Sequence, residues 1–290
     1  MKVLDIRNLY KSYNRKAVLT GLDLSLEEGF VLGLIGENGV GKTTLLKSML
    51  NLVRIDGGQI SIFGMDHLNS EREVRSRIGF VHEASYLFEE LSLLDTERIL
   101  VRAYSRWDSS LFHRYAERLQ LPLHQRIKNF SKGMKMRSAL AIALSHHAEL
   151  IIMDEPTSGL DPRVRHDLYR IIREELMQSR RSFIISTHIT SDLEKVADYV
   201  ALLQEGRIAT FLSMDELREE YALCRGPLEA LSPEIEELFL GLSRSEIGFQ
   251  GLTGDPATIR RELGEQTVME RPTIEDLMIY TTSEGEGGRI

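Results

Sequence analysis

The run Gly36-Glu37-Asn38-Gly39-Val40-Gly41-Lys42-Thr43-Thr44 has the residue types and spacing needed to hold a chain of phosphates. Glycines at 36, 39 and 41, with Asn38 in the same turn, let successive backbone N–H groups converge at the start of a helix, whose positive end favours anions. Lys42 adds a point charge at the β and γ oxygens, and the Thr43 hydroxyl is placed to ligate Mg²⁺. A second run, Leu150-Ile151-Ile152-Met153-Asp154-Glu155, sets two carboxylates at the end of an apolar segment. Asp154 suits a metal site, and Glu155, near the metal but off it, suits the base that polarises water for attack on a γ-phosphate. A third, Phe130-Ser131-Lys132-Gly133-Met134, opens a helix. Its hydroxyl and free N–H groups serve equally as an ordinary helix cap or as a second anion site.

Such residues need rigid elements behind them. Val31–Ile35, 150–153 and Ser182–Ser186 are short continuous apolar runs, each followed by a loop and a helical pattern, as strands buried on both faces are. They predict a parallel core sheet, extended by two strands at 199–203 and 207–211 around the turn Glu205-Gly206. Leu22, Leu24 and Leu26 alternate with polar residues, as do Ile60 and Ile62 after Asp56-Gly57-Gly58, which predicts an antiparallel sheet near the N-terminus. From about 93 to 147 helical spacing takes over, with Leu111, Phe112, Tyr115 and Leu119 on one face. Trp107 reads as core of that helical part, and His146-His147 as a helix end without metal-ligand spacing.

Composition narrows the function classes. The net charge of −8 argues against a whole-chain grip on nucleic acid. Cys224 is the only cysteine, so no internal disulfide or cysteine-rich zinc site exists. No apolar run reaches the 18 or so residues of a membrane span, and the first residues lack a signal-peptide core. A cytosolic location is expected, and any membrane work requires another chain.

In this order the motifs resemble those of the nucleotide-binding subunits of ATP-binding-cassette (ABC) transporters, over about residues 1–215. The resemblance implies an α/β fold: a P-loop NTPase core with a parallel core sheet, an antiparallel N-terminal sheet and an inserted helical subdomain at about 86–147. It implies ATP and Mg²⁺ as cofactors. Tyr13 matches the aromatic that stacks on adenine, and Gly36, Asn38, Gly39, Gly41, Lys42, Thr43 and Thr44 match the phosphate loop. Asp154 and Glu155 match the metal-site and catalytic carboxylates. Ser131 and Gly133 match the signature segment that contacts the γ-phosphate held by the opposite subunit. Asp161, in Ser158-Gly159-Leu160-Asp161, matches the loop crossing between subunits, and His188 matches the switch histidine. Two cassettes are then required for each closed site, with a separate transmembrane permease subunit docked on them at the cytoplasmic face of the membrane. The docking groove is expected around 83–93, where Tyr86, Leu87 and Phe88 offer apolar contacts.

Three departures from the family pattern stand out. Glu83 takes the place of the usual glutamine that meets Mg²⁺, Lys132 that of the signature's first glycine, and Gly159 that of a commoner alanine. Together, Ser131-Lys132-Gly133-Met134-Lys135-Met136, Glu83, the segment from Ala148 to Glu155 and Ile189-Thr190-Ser191-Asp192 after the histidine resemble a bacterial branch exporting drugs, antibiotics or antimicrobial peptides. The second cassette is either a copy of this chain or a paralogue. A soluble cassette acting on DNA or ribosomes and a nucleotide-gated adaptor without turnover are the competing classes.

After about residue 215 the pattern changes. Ser232-Pro233, Asp255-Pro256 and Thr273-x-x-Asp276 carry helix-start signals around a strand expected at 246–253. Residues 216–282 therefore read as a small accessory α+β domain with no chemistry of its own, and 283–290 as a frayed tail.

Overall fold

A computed structural model describes residues 1–82 and 88–281 of the chain. Three sheets organise them. The first is β2-β1-β4-β5, with β1 Lys2–Tyr13, β2 Lys16–Glu27, β4 Gly57–Ile62 and β5 Met65–Asp66, all paired antiparallel. The second is β10-β9-β3-β8-β7-β6, comprising β3 Val31–Ile35, β6 Ile78–His82, β7 Leu150–Asp154, β8 Ser182–Ser186, β9 Tyr199–Gln204 and β10 Arg207–Ser213. Its strands from β9 to β6 run parallel, and β10 folds back antiparallel on β9.

The apolar runs are continuous because each central strand feeds two cores at once. Leu32 and Leu34 of β3, Ile152 of β7 and Ile184 of β8 join the cluster shared with the N-terminal sheet and helix α1, Lys42–Met49. Their neighbours Val31, Ile35, Ile151, Met153, Phe183 and Ile185 point the other way, into a cluster with the helices. Alternating side chains of a strand face opposite sides, so a sheet covered on both faces needs an apolar residue at every position.

Between β6 and β7 the described chain is helical: α3 Leu93–Ala103, α4 Ser109–Arg118 and α5 Lys132–Ser145. Trp107 packs on Phe112 there, and His146 is tied to the Ile142 and Ile78 carbonyls and stacked on Tyr104. Helix α2, Glu71–Ser76, leads into β6, and α6, Pro162–Gln178, and the single turn α7, Thr190–Leu193, follow β7 and β8. The strand at Ile78–His82 adds an edge to the parallel sheet that the apolar runs did not mark out.

The C-terminal part forms the third sheet, β12-β13-β11-β14, from β11 Ala222–Gly226, β12 Phe239–Ser245, β13 Gly248–Thr253 and β14 Val268–Glu270. Helices α8 Met214–Glu220, α9 Pro233–Glu236, α10 Pro256–Leu263 and α11 Ile274–Thr281 accompany it. The expected boundary at 215/216 falls inside α8. Met214, Leu217, Leu223, Leu252, Ile274, Leu277 and Tyr280 lie in the same buried cluster as Phe183 and Leu193 of the cassette. Helix α11 packs on α7, and its first N–H, from Ile274, donates to the Glu194 carboxylate at 3.0 Å. The expected tail at 283–290 lies outside the described residues.

Candidate functional site

Strand β8 lies between β3 and β7, so the loops leaving the carboxyl ends of all three meet at one place, where a parallel sheet collects its ligand-binding residues. From β3 comes the glycine loop. Gly36 sits at φ 148°, Gly39 at 81° and Gly41 at 121°. A Cβ on Gly36 would lie 2.4 Å from the Leu203 carbonyl oxygen, so a side chain is excluded there both by conformation and by space. The loop turns the chain into α1, whose first residue, Lys42, is buried with only 6% of its side chain exposed.

The Lys42 ammonium donates to the carbonyls of Gly36 at 2.7 Å and Glu37 at 3.1 Å, and the Glu155 carboxylate stands 4.0 Å away. Burial holds its pKa below the usual lysine value of 10.5, while Glu155 and Asp154 pull it back up. A desolvated cation of this kind gains from any anion brought beside it. Thr43, next on the helix, donates its hydroxyl to Asp154 Oδ2 at 2.8 Å.

Asp154 ends β7 with its side chain 3% exposed. Its other oxygen accepts from the Ser186 hydroxyl at 2.5 Å, and His82 Nε2 lies 3.5 Å from Oδ2. Glu155 follows in a left-handed conformation, φ 49°, uncommon for a residue with a side chain. The twist is pinned by its N–H donating to the Ser186 carbonyl at 3.0 Å. It turns the Glu155 carboxylate to meet His188 Nδ1 at 2.7 Å; since a carboxylate only accepts, Nδ1 is assigned as the donor. Lys42, Thr43, Asp154, Glu155 and His188 thus form one connected cluster.

The remaining expected residues sit elsewhere. Tyr13 ends β1, 43% exposed, with the Lys11 ammonium 4.9 Å from its ring centroid. Asn38 lies in the exposed turn of the glycine loop, and the Thr44 carbonyl accepts from Ser48 within α1. Ser131 caps α5 by accepting from the Met134 N–H at 3.2 Å. Asp161 caps α6 by accepting from the Arg163 and Val164 N–H groups, each at 3.1 Å. Gly133 faces Val164 of α6, so the two helix starts are neighbours. The departures at 132 and 159 meet here: Gly159 has φ 67°, and a Cβ on it would lie 2.9 Å from Lys132 Nζ. Glu83, expected at the metal, lies outside the described residues, as do Tyr86 and Leu87, while Phe88 is 53% exposed. Two participants, Ser186 and His82, were not singled out from sequence; each lies within two residues of an expected site residue, His188 and Glu83, and the strand register that aims them at Asp154 is the missing signal.

The ABC transporter family profile matches residues 19–158. The chain is 30% identical to the bacitracin transport ATP-binding protein BcrA of Bacillus licheniformis, over 75% of this chain and 72% of that protein. This chain belongs to the ABC transporter ATP-binding family. The cassette is also 30% identical to the Nod factor export ATP-binding protein I of Rhizobium etli, covering 97% of this chain and 94% of that one. A solved ATP-binding subunit of an ABC transporter superimposes with a TM-score of 0.68 at 29% identity, over 74% of the cassette and 92% of its own length. The cassette is therefore an ATP-binding and hydrolysing transport subunit. Among the described residues no helix is long and apolar enough to cross a membrane.

Proposed function

We propose that this cassette drives export through a separate permease, with ATP hydrolysed by Glu155 in a site that a second cassette completes. The observation carrying this reading is the connected cluster at the ends of β3, β7 and β8: a buried ammonium beside two carboxylates, one of which is held by a histidine. Triphosphate lying along the glycine loop meets backbone N–H groups and Lys42, whose desolvated charge is then matched by phosphate oxygens. Tyr13 stacks on the adenine.

Glu155 accepts a proton from water at a carboxylate oxygen as the water oxygen bonds to the γ-phosphorus. The bond from that phosphorus to the β-bridging oxygen breaks, giving ADP and phosphate. His188 Nδ1, 2.7 Å from Glu155 Oε2, fixes the carboxylate's direction. The donor set at Thr43 and Asp154, a hydroxyl and a buried carboxylate, fits Mg²⁺, a hard cation that takes oxygen ligands and keeps waters and phosphate oxygens for the rest; Glu83 is a further ligand in this reading. When bound, Mg²⁺ neutralises charge developing on the β and γ oxygens.

Ser131, Gly133 and Asp161 serve the nucleotide of the opposite cassette, which makes association ATP-dependent. The permease docks on the segment around 83–93, at the cytoplasmic face of the membrane. Relatives named for bacitracin transport and Nod factor export support export, with a peptide, antibiotic or drug as the proposed cargo.

Phosphate release by the purified protein tests the chemistry. Glu155→Gln keeps ATP binding and lowers turnover by about 10² to 10⁴. Equal near-zero rates in both proteins would make the chain a nucleotide-gated adaptor instead.

A further inference from the structure

Asp154 is an almost fully buried carboxylate, a group that is costly to bury unless hydrogen-bond donors surround it. Two are hydroxyls, Ser186 on one oxygen and Thr43 on the other. The third group facing it comes from the sheet itself. In the parallel pairing of β6 with β7, His82 is the register partner of Asp154, so the two side chains leave the same face of the sheet side by side. The His82 side chain is 17% exposed, and its Nε2 lies 3.5 Å from Asp154 Oδ2, the oxygen that also holds Thr43. An ionised carboxylate offers only acceptors, so the nitrogen directed at it bears a hydrogen. The separation is longer than an ordinary N–H···O hydrogen bond, and catalytic-site contacts of this kind tighten when ligand draws the groups together.

We propose that His82 is a positioning residue for the divalent-cation site: its Nε2–H fixes Asp154 Oδ2, and through it the Thr43 hydroxyl, in the orientation that receives the metal of the metal–ATP complex. This rests on the reading that Thr43 and Asp154 hold a divalent cation. The arrangement has a built-in logic. Thr43 donates to Asp154 with its hydrogen and keeps its oxygen lone pairs for the cation. With Ser186 on the other oxygen, a third donor from His82 stops the carboxylate from rotating about its terminal bond when the cation's hydration shell arrives. Metal sites owe much of their affinity to such outer partners. The sheet register makes the arrangement cheap to maintain, because no loop needs ordering to bring His82 to Asp154.

The test uses the full chain with Glu155→Gln to stop turnover. ATP affinity is measured calorimetrically in EDTA, in Mg²⁺ and in Mn²⁺, and the ratio with and without cation gives the metal's share of binding. His82→Leu removes the donor, His82→Asn keeps polarity but falls short of Oδ2, and His82→Gln places an amide N–H near the position of Nε2. Leu and Asn are expected to cut the metal-dependent ratio by about tenfold with affinity in EDTA unchanged, and Gln to restore most of it. A merely structural role would lower affinity equally in all three solutions. The same ratio in Asn as in the parent, or no recovery in Gln, overturns the proposal. Asp154→Asn separates this from failure of the underlying reading: if that variant also keeps the parent ratio, Asp154 is not at a metal site at all.

Discussion

Replacing Gly36 with alanine should damage the nucleotide-free protein more than the same change at Gly39, although both belong to the phosphate loop and both have positive φ. The left-handed backbone charges each alanine about 1–2 kcal/mol. At Gly39 nothing lies within 4 Å of the added methyl, so this is the whole cost. At Gly36 the methyl would sit 2.4 Å from the Leu203 carbonyl oxygen and 3.0 Å from a Val40 methyl. The carbonyl is backbone of β9 and cannot rotate away, so the loop must shift by nearly an ångström, an overpacking cost of about 1–3 kcal/mol more. For a chain of this size the difference should appear as a further drop in melting temperature of roughly 2 to 10 °C. The shift also moves the Gly36 carbonyl that holds Lys42 at 2.7 Å, and misplacement on that scale costs about 10²-fold in rate. Thermal denaturation without nucleotide, followed by phosphate-release kinetics, measures both. Equal melting temperatures for the two variants would refute the close approach of Gly36 to Leu203.

Two further outcomes follow from burial. Because Lys42 is held below its usual pKa by desolvation, the nucleotide-free protein carries fewer protons than the unfolded chain just below lysine's ordinary range. Stability contributed by this group therefore rises with pH through that window, and ATP, by bringing anions to Lys42, should take up protons on binding there. Calorimetry in two buffers of different ionisation enthalpy reads the uptake, and none in that window refutes it. Leu277→Ala, at a fully buried position, should cost about 2–5 kcal/mol and lower a single melting transition of the whole chain. An early, separate transition confined to residues beyond 215 would show that the C-terminal part melts as its own unit.

The parallel strands and the phosphate loop were legible because their signals are local: an unbroken apolar run, then glycines, then Lys42. Strand β6 was not, since Gly79 and His82 interrupt its pattern. The structure explains both: Gly79 makes room for Ala143 of α5, where a Cβ would come within 2.7 Å, and His82 faces Asp154. In the C-terminal sheet only β13 carried a clear signal. β11 and β12 contain Gly226 and Gly241, and a Cβ on Gly241 would meet the Tyr280 carbonyl at 2.2 Å, a requirement set by a helix distant in sequence. The helix expected at Ser232-Pro233 stops after Glu236, because cap and proline mark a start but not a length. Strand register, which decides that Ser186 and His82 converge on one carboxylate, leaves no trace in local composition.

The bond from Ile274 to Glu194 joins residues 80 apart, and it seals the core at the segment just beyond His188. A growing polypeptide makes that segment first and its cover last. At translation speeds of about 5–20 residues per second, Leu193 and Val196 wait roughly 4–16 s on the nascent chain before α11 is synthesised. Order of manufacture therefore leaves the phosphate loop complete early and the ground beneath the switch histidine unfinished until α11 emerges.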